Sequence, residues 1–194
     1  MRILFLLIQV IHIGDQLTPL MDVPVKRMCT GIAFFQHTFI LGFTSLTPRV
    51  VRMSEKGEVL NTLRYDSSGK ELFHHPDCIH VENTTDSARI IMSDSGKKTV
   101  YMLDDGLQLL QALKLPSGGT PWGLAAVGGG QVLVLVADGG TWTLQLLDLT
   151  TGRWQTLLGE EEGLGWPHSL AYNQAMKKLF VRDDTDVKVY TVSE

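Results

Sequence analysis

A short apolar segment returns along this chain at an almost constant interval. Gly31-Ile32-Ala33, Cys78-Ile79-His80, Gly123-Leu124-Ala125 and Ser169-Leu170-Ala171 open four such segments, spaced 47, 45 and 46 residues apart. A fixed period of this length constrains the fold more than any single motif does. Each copy must be one supersecondary unit, and it has to bury its faces against the neighbouring copies.

Three further runs follow each opening segment. The second comprises Phe39 to Phe43, Ile90 to Asp94, Leu133 to Asp138 and Leu179 to Asp183, and three of these four end in Asp. The third comprises Val50 to Met53, Val100 to Leu103, Thr143 to Leu147 and Val187 to Tyr190. Turns at Glu55-Lys56-Gly57, Asp104-Asp105-Gly106 and Thr150-Thr151-Gly152 then supply the glycine that a positive-φ hairpin position favours. Beyond them stand Val59 to Leu63, Leu109 to Leu113 and Trp154 to Leu158. Four short strands in each repeat of 40 to 50 residues predict an all-β β-propeller of four-stranded antiparallel blades. A β-sandwich also strings short strands between turns, and Leu107 to Leu115 can be read as a turn or two of helix. The recurrence of all four anchors favours the propeller.

The expected blades are 1–28 (outer strands only), 29–75, 76–120, 121–166 and 167–194, the last without its outer strand. Ile3 to Val10 reads as a third strand, Gly14-Asp15 as its turn and Leu17 to Val23 as a fourth. This organisation is expected to be part of a six-bladed ring that begins mid-blade. Open edges at both ends, with Val187, Val189 and Tyr190 on the last strand and only Lys188 to blunt it, lead to an expectation of self-association.

Composition narrows the partners. The formal net charge of −4 gives no overall attraction to nucleic acid or anionic membrane, so RNA is not favoured. Met1-Arg2 followed by Ile3 to Ile8 resembles the start of a signal peptide, but Gln9 and His12 break the run and no small-residue cleavage site follows. The run is also far shorter than the ~20 residues of a membrane helix. Two cysteines, Cys29 and Cys78, form no disulfide framework and no zinc pattern. A cytoplasmic chain without membrane attachment is expected.

Arg27-Met28-Cys29-Thr30-Gly31-Ile32-Ala33, Ile91-Met92-Ser93-Asp94 with Thr99-Val100-Tyr101-Met102, and Trp122-Gly123-Leu124-Ala125 resemble the NHL-repeat propeller at the C-terminus of tripartite-motif ubiquitin ligases, invertebrate sets in particular. The similarity extends over essentially the whole chain. It implies a substrate-recruiting module. In that family the ligase chemistry belongs to a RING finger which, like the B-box, has no counterpart in this sequence.

Candidate sites belong on the loops, because a propeller collects side chains from every blade at one face. Lys97 and Lys98 follow a second strand, Arg182 ends another, and the acidic run Glu160-Glu161-Glu162 lies between blades. His75, Trp166 and His168 stand in or beside the inter-blade connections. These six residues, Lys97, Lys98, Arg182, His75, Trp166 and His168, form the expected partner-binding face. The tetrapeptide His74-His75-Pro76-Asp77 offers metal-ligating groups, but neighbours on an extended segment point apart, so the two imidazoles are not expected to share an ion. His80 and His168 are expected at the start of innermost strands, as partly buried structural groups. Trp122, Trp142 and Trp154 are expected in packing roles, and Trp166 in contact with a partner.

The expected function is therefore non-catalytic recognition of a protein, with no cofactor and no metal. A lactonase-type or lyase-type propeller enzyme is the alternative, and it would need ligands converging on a central metal. The residues entering the channel strands, Ile32, Ala33, Ile79, Leu124, Ala125, Leu170 and Ala171, supply none. RNA binding is a further alternative and would need the 17 cations gathered on one face.

Overall fold

The computed structural model describes residues 6–13, 17–25, 27–83, 88–116, 118–138, 141–182 and 186–192. These residues contain no helix and form strands β1 (Leu6–Ile13), β2 (Leu17–Val25), β3 (Gly31–Phe35), β4 (Thr38–Phe43), β5 (Arg49–Ser54), β6 (Val59–Leu63), β7 (Pro76–Asn83), β8 (Ala88–Asp94) and β9 (Thr99–Asp104). The remainder are β10 (Leu109–Lys114), β11 (Thr120–Gly128), β12 (Gln131–Asp138), β13 (Thr141–Asp148), β14 (Trp154–Leu158), β15 (Ser169–Asn173), β16 (Lys178–Arg182) and β17 (Val187–Thr191). Each sheet is a simple antiparallel meander in chain order: β1-β2, β3 to β6, β7 to β10, β11 to β14 and β15 to β17.

The period-2 alternation of the second strands explains why these sheets stack. On β12, Val132, Val134 and Val136 point to the seam with β7–β10, where they meet Ile91 and Val100. Leu133 and Leu135, one residue out of phase, point to the opposite seam and meet Leu179 and Val181. β8 repeats the rule: Ile90 and Met92 pack with Ile40 and Val50, and Ile91 packs on the other side. On β4, Phe39, Leu41 and Phe43 meet Val23 and Val25 of β2. A strand covered on both faces must be apolar throughout. Each fully buried Val, Leu or Ile contributes roughly 1.5–3 kcal/mol, so the four seams carry the stability.

Outer strands read differently. β6 and β10 are largely exposed, and β2 carries Pro19 and Pro24, which lack the N–H a central strand must donate. The first strands β3, β7, β11 and β15 lie side by side in sequence order. Close approach there depends on glycine. A Cβ on Gly42 would stand 2.7 Å from the Pro76 carbonyl oxygen, and one on Gly31 2.9 Å from that of Asp77.

Several expectations are refined. Leu109–Lys114 is a strand, so the helical reading of that region is excluded. The first described strand is Leu6–Ile13, three residues further along than Ile3 to Val10, and Gly14-Asp15 lies outside the described residues, as do Ile3 to Phe5. Gly57 and Gly152 take the positive φ expected of their turns, but in the turn between them in sequence Leu107 does so instead of Gly106. Leu107 is fully buried in the seam cluster with Phe73 and Tyr101, and that burial offsets the strain of a non-glycine residue there. Side-chain acceptors finish the same turns: Ser54 Oγ accepts from Glu58 N, Asp104 Oδ1 from Gln108 N, and Asp148 Oδ1 from Thr150 N and Thr151 N. The Thr151 and Thr150 N–H groups hold the Asp148 carboxyl below the usual carboxylate range.

Candidate functional site

First and third strands of a meander run the same way, so β7, β11 and β15 start at the end of the sheets where β9 and β13 also start. The inter-sheet connections and the connections between second and third strands therefore share one face. Hydrogen bonds tie the two loop sets together. Asp94, fully buried at the end of β8, accepts from His74 N at 2.7 Å, His75 N at 2.9 Å and Lys97 N at 2.8 Å. Ser95 N donates to the His75 carbonyl at 3.1 Å and to Asp77 Oδ2 at 3.1 Å. The recurring Asp at the end of the second strand is here a staple between loops; its counterpart Asp183 lies outside the described residues.

All six residues expected on the partner-binding face lie at this loop end. Lys97 and Lys98 are in the β8–β9 turn, with Lys98 Nζ donating to the Gly118 carbonyl at 2.6 Å. His75 immediately precedes β7, and Arg182 ends β16, where its carbonyl accepts from His168 N at 2.9 Å. Trp166 lies in the connection to β15 and is 62% exposed.

Trp166 does not stand alone. Its ring lies 6.2 Å from that of Trp142 at the start of β13, and Trp142 lies 6.3 Å from Trp122 at the start of β11. Trp122 is 44% exposed, so the packing role expected for it is corrected. Trp154 keeps that role, against the cluster of Leu124 and Val134. The three-ring ladder joins two hollows. One, of about 330 Å³, is lined by Thr30, Asp77, Cys78, Trp122, His168 and Ser169, with Leu124 and Leu170. The other, of about 410 Å³, runs between Trp142, Leu157 and Glu160 to Glu162.

The first hollow lies where the starts of the inner strands meet, and its lining amends the expectation of an apolar entrance. Thr30, Asp77, Cys78, His168 and Ser169 precede the apolar anchors by one or two positions, and the strand starts put them at the rim. Thr30 and Cys78 of this group, and Ser93 beneath them, join sheets. Thr30 Oγ1 donates to the Pro76 carbonyl at 2.7 Å, and Ser93 Oγ, below Cys78, donates to the Trp122 carbonyl at 2.7 Å. Burial pushes the Cys78 thiol up, opposed by a hydrogen bond with the Leu124 main chain. A thiol so placed stays protonated at neutral pH and is a poor nucleophile. Among the described residues no group of three His, Cys, Asp or Glu side chains is gathered as metal ligands.

Two histidine expectations are corrected. His74 and His75 do not point apart: their rings meet edge to face at 4.9 Å, because both N–H groups turn onto Asp94 and the segment is bent, not extended. His80 lies in the middle of β7, paired with Ile91, and not at its start. Burial pushes its imidazole below the usual range, with Glu82 opposing.

No protein-family model matches the chain, and no curated protein matches its sequence. Solved structures do match. A chain of a nidogen/laminin complex superposes with a TM-score of 0.67 at 18% identity, covering 91% of this chain and 69% of that one. The β-propeller domain of Myceliophteria thermophila Cps50 (Swd1) gives 0.65 at 12% identity, covering 95% and 62%. The chain is a β-propeller. Streptogramin B lyase is similar at a TM-score of 0.59 and 14% identity, covering 90% and 59%. These propellers range from protein complexes to a lyase, so the shared fold leaves function to the loop face. The propeller described here spans about 60–70% of those three chains.

Proposed function

We propose that this propeller is a non-catalytic recognition module, and that it binds a protein through the loop face centred on Trp122, Trp142 and Trp166. The single observation behind this reading is the ladder itself. Two large exposed rings, Trp122 and Trp166, bridged by the half-buried Trp142 that anchors them to the core, are the residue type and placement that dominate interface energetics. Lys97 and Lys98 from the blade before the ladder, and Glu160 to Glu162 and Arg182 from the segments after it, supply a polar rim of both signs. The acidic run borders the hollow beside Trp142, where a phosphate backbone would be repelled, so protein is favoured over RNA. The resemblance to tripartite-motif propellers makes the bound protein a client recruited for ubiquitin transfer in the cytoplasm.

Photo-crosslinking tests the reading. A benzophenone amino acid at position 166 is expected to capture a discrete protein that the same probe at Lys56, on the opposite face, does not capture. Equal capture from both positions, or capture only of nuclease-sensitive material at 166, would reject it.

A further inference from the structure

A cavity of about 650 Å³ lies away from the loop-face ladder, between β2 of the first blade and β5–β6 of the second. Its floor is apolar, built from Val25, Phe43, Val51 and Met53, all of them buried seam residues. Its rim is cationic: Arg27, Arg49 and Arg64 all line it.

These three guanidinium groups have few counter-charges among the described residues. Thr47 takes up two of them, its hydroxyl accepting from Arg49 Nη1 at 2.7 Å and from Arg27 Nη1 at 3.3 Å. Arg49 also donates to the Thr47 carbonyl at 2.9 Å and stacks over Phe43 at 4.7 Å. Arg64 meets the one carboxylate, Glu71 Oε1 at 2.8 Å, through Nη2, and its buried Nε–H finds no acceptor in the protein. Burial, with Arg27 and Arg64 nearby, lowers the Arg49 pKa, as expected when like charges crowd a partly dry site. Three cations around an apolar floor form a site that is complementary to a negative charge attached to an apolar body.

We propose that this inter-blade cavity binds a small amphiphilic anion, a terminal carboxylate or phosphate on an apolar tail. The anionic head is taken by Arg49 and Arg64, with Arg27 at the mouth, since guanidinium forks match either oxyanion bidentately. The tail lies along Phe43, Val51 and Met53. The volume falls within the range of small-molecule sites, and an eight-carbon tail is short enough to enter it.

The probes are octanoate, octyl phosphate, octanol and inorganic phosphate, titrated into the intact chain and followed by calorimetry and amide chemical shifts. Octanoate or octyl phosphate is expected to bind one to one, at least tenfold tighter than octanol and tenfold tighter than inorganic phosphate, with shifts at Val51, Met53 and Thr62. The tighter of the two acids identifies the head group. Arg49→Met should weaken that acid at least tenfold, and Arg27→Ala, on the exposed rim where folding is not at stake, several-fold, while neither changes octanol binding. Octanol binding as tightly as both acids, undiminished acid binding in both variants, or shifts confined to other blades would overturn the proposal.

Discussion

The hydroxyl of Ser93, fully buried on β8, donates at 2.7 Å to the main-chain carbonyl of Trp122 on the neighbouring blade. One hydrogen bond thus fixes both the spacing of β8 from the inner strand β11 and the first ring of the tryptophan ladder. Ser93→Ala removes the donor to this part-buried carbonyl, which costs about 1 kcal/mol. Urea denaturation is expected to show that loss as a lower midpoint with an unchanged slope, and Trp fluorescence of the folded variant should shift. An unaltered midpoint would mean that the seam does not depend on this bond.

Gly42→Ala tests the close approach of the second and third blades. Its new Cβ would meet the Pro76 carbonyl oxygen at 2.7 Å, a main-chain atom that cannot swing aside as the Ile79 side chain at 3.4 Å can. Overpacking of this kind costs about 1–3 kcal/mol, and calorimetry should record a lower melting temperature. Equal stability would show that the blades can slide apart without penalty.

The fold was legible because its information is local and periodic: runs such as Leu133 to Val136 announce themselves in all four copies, and turns such as Thr151-Gly152 in three of them. What was not legible depends on register between distant segments. Trp122, Trp142 and Trp166 occupy an inner strand, a third strand and a connection, and only the shared loop end aligns them; the placement of Trp122 and Trp142 near strand starts is the one signal available beforehand. Arg27, Arg49 and Arg64 likewise come from three segments whose meeting needs the stacking of two blades. The bend at His74-His75 and the strained Leu107 were hidden because buried Asp94 and a seam cluster override local preference.

Alkaline pH should expose the Tyr101 seam. Its hydroxyl donates to the Leu72 carbonyl at 2.8 Å, and burial, then the Asp94 charge, pushes its pKa from 10.0 up to about 12. Below pH 10 both folded and unfolded chains hold the proton and the stabilisation is complete. Between pH 10 and about 12 only the unfolded chain releases it, so stability falls as pH rises. Tyr101→Phe should be about 1 kcal/mol less stable at pH 8 and should lose this part of the alkaline decline. Parallel stability curves for the two proteins would contradict the assignment.

His80 acts in the opposite range. Its imidazole is held below the ordinary 6.5 by burial, so the folded chain resists the proton that the unfolded chain accepts. Stability is complete above pH 6.5 and declines as pH falls toward 5. His80→Gln should flatten that decline in chemical denaturation at pH 5 and pH 7, and an equally steep loss in the variant would assign it elsewhere.

The central claim is that the tryptophan face recognises a protein. The most direct measurement is the affinity of the crosslinked partner, by calorimetry, for the native chain, for Trp122→Ala with Trp166→Ala, and for Lys56→Glu on the opposite face. Loss of anchoring aromatics should weaken binding by 2 kcal/mol or more, about 30-fold, while Lys56→Glu leaves it unchanged and all three chains melt alike. Undiminished affinity in the double variant, or a loss as large from Lys56→Glu, would place recognition elsewhere on the propeller.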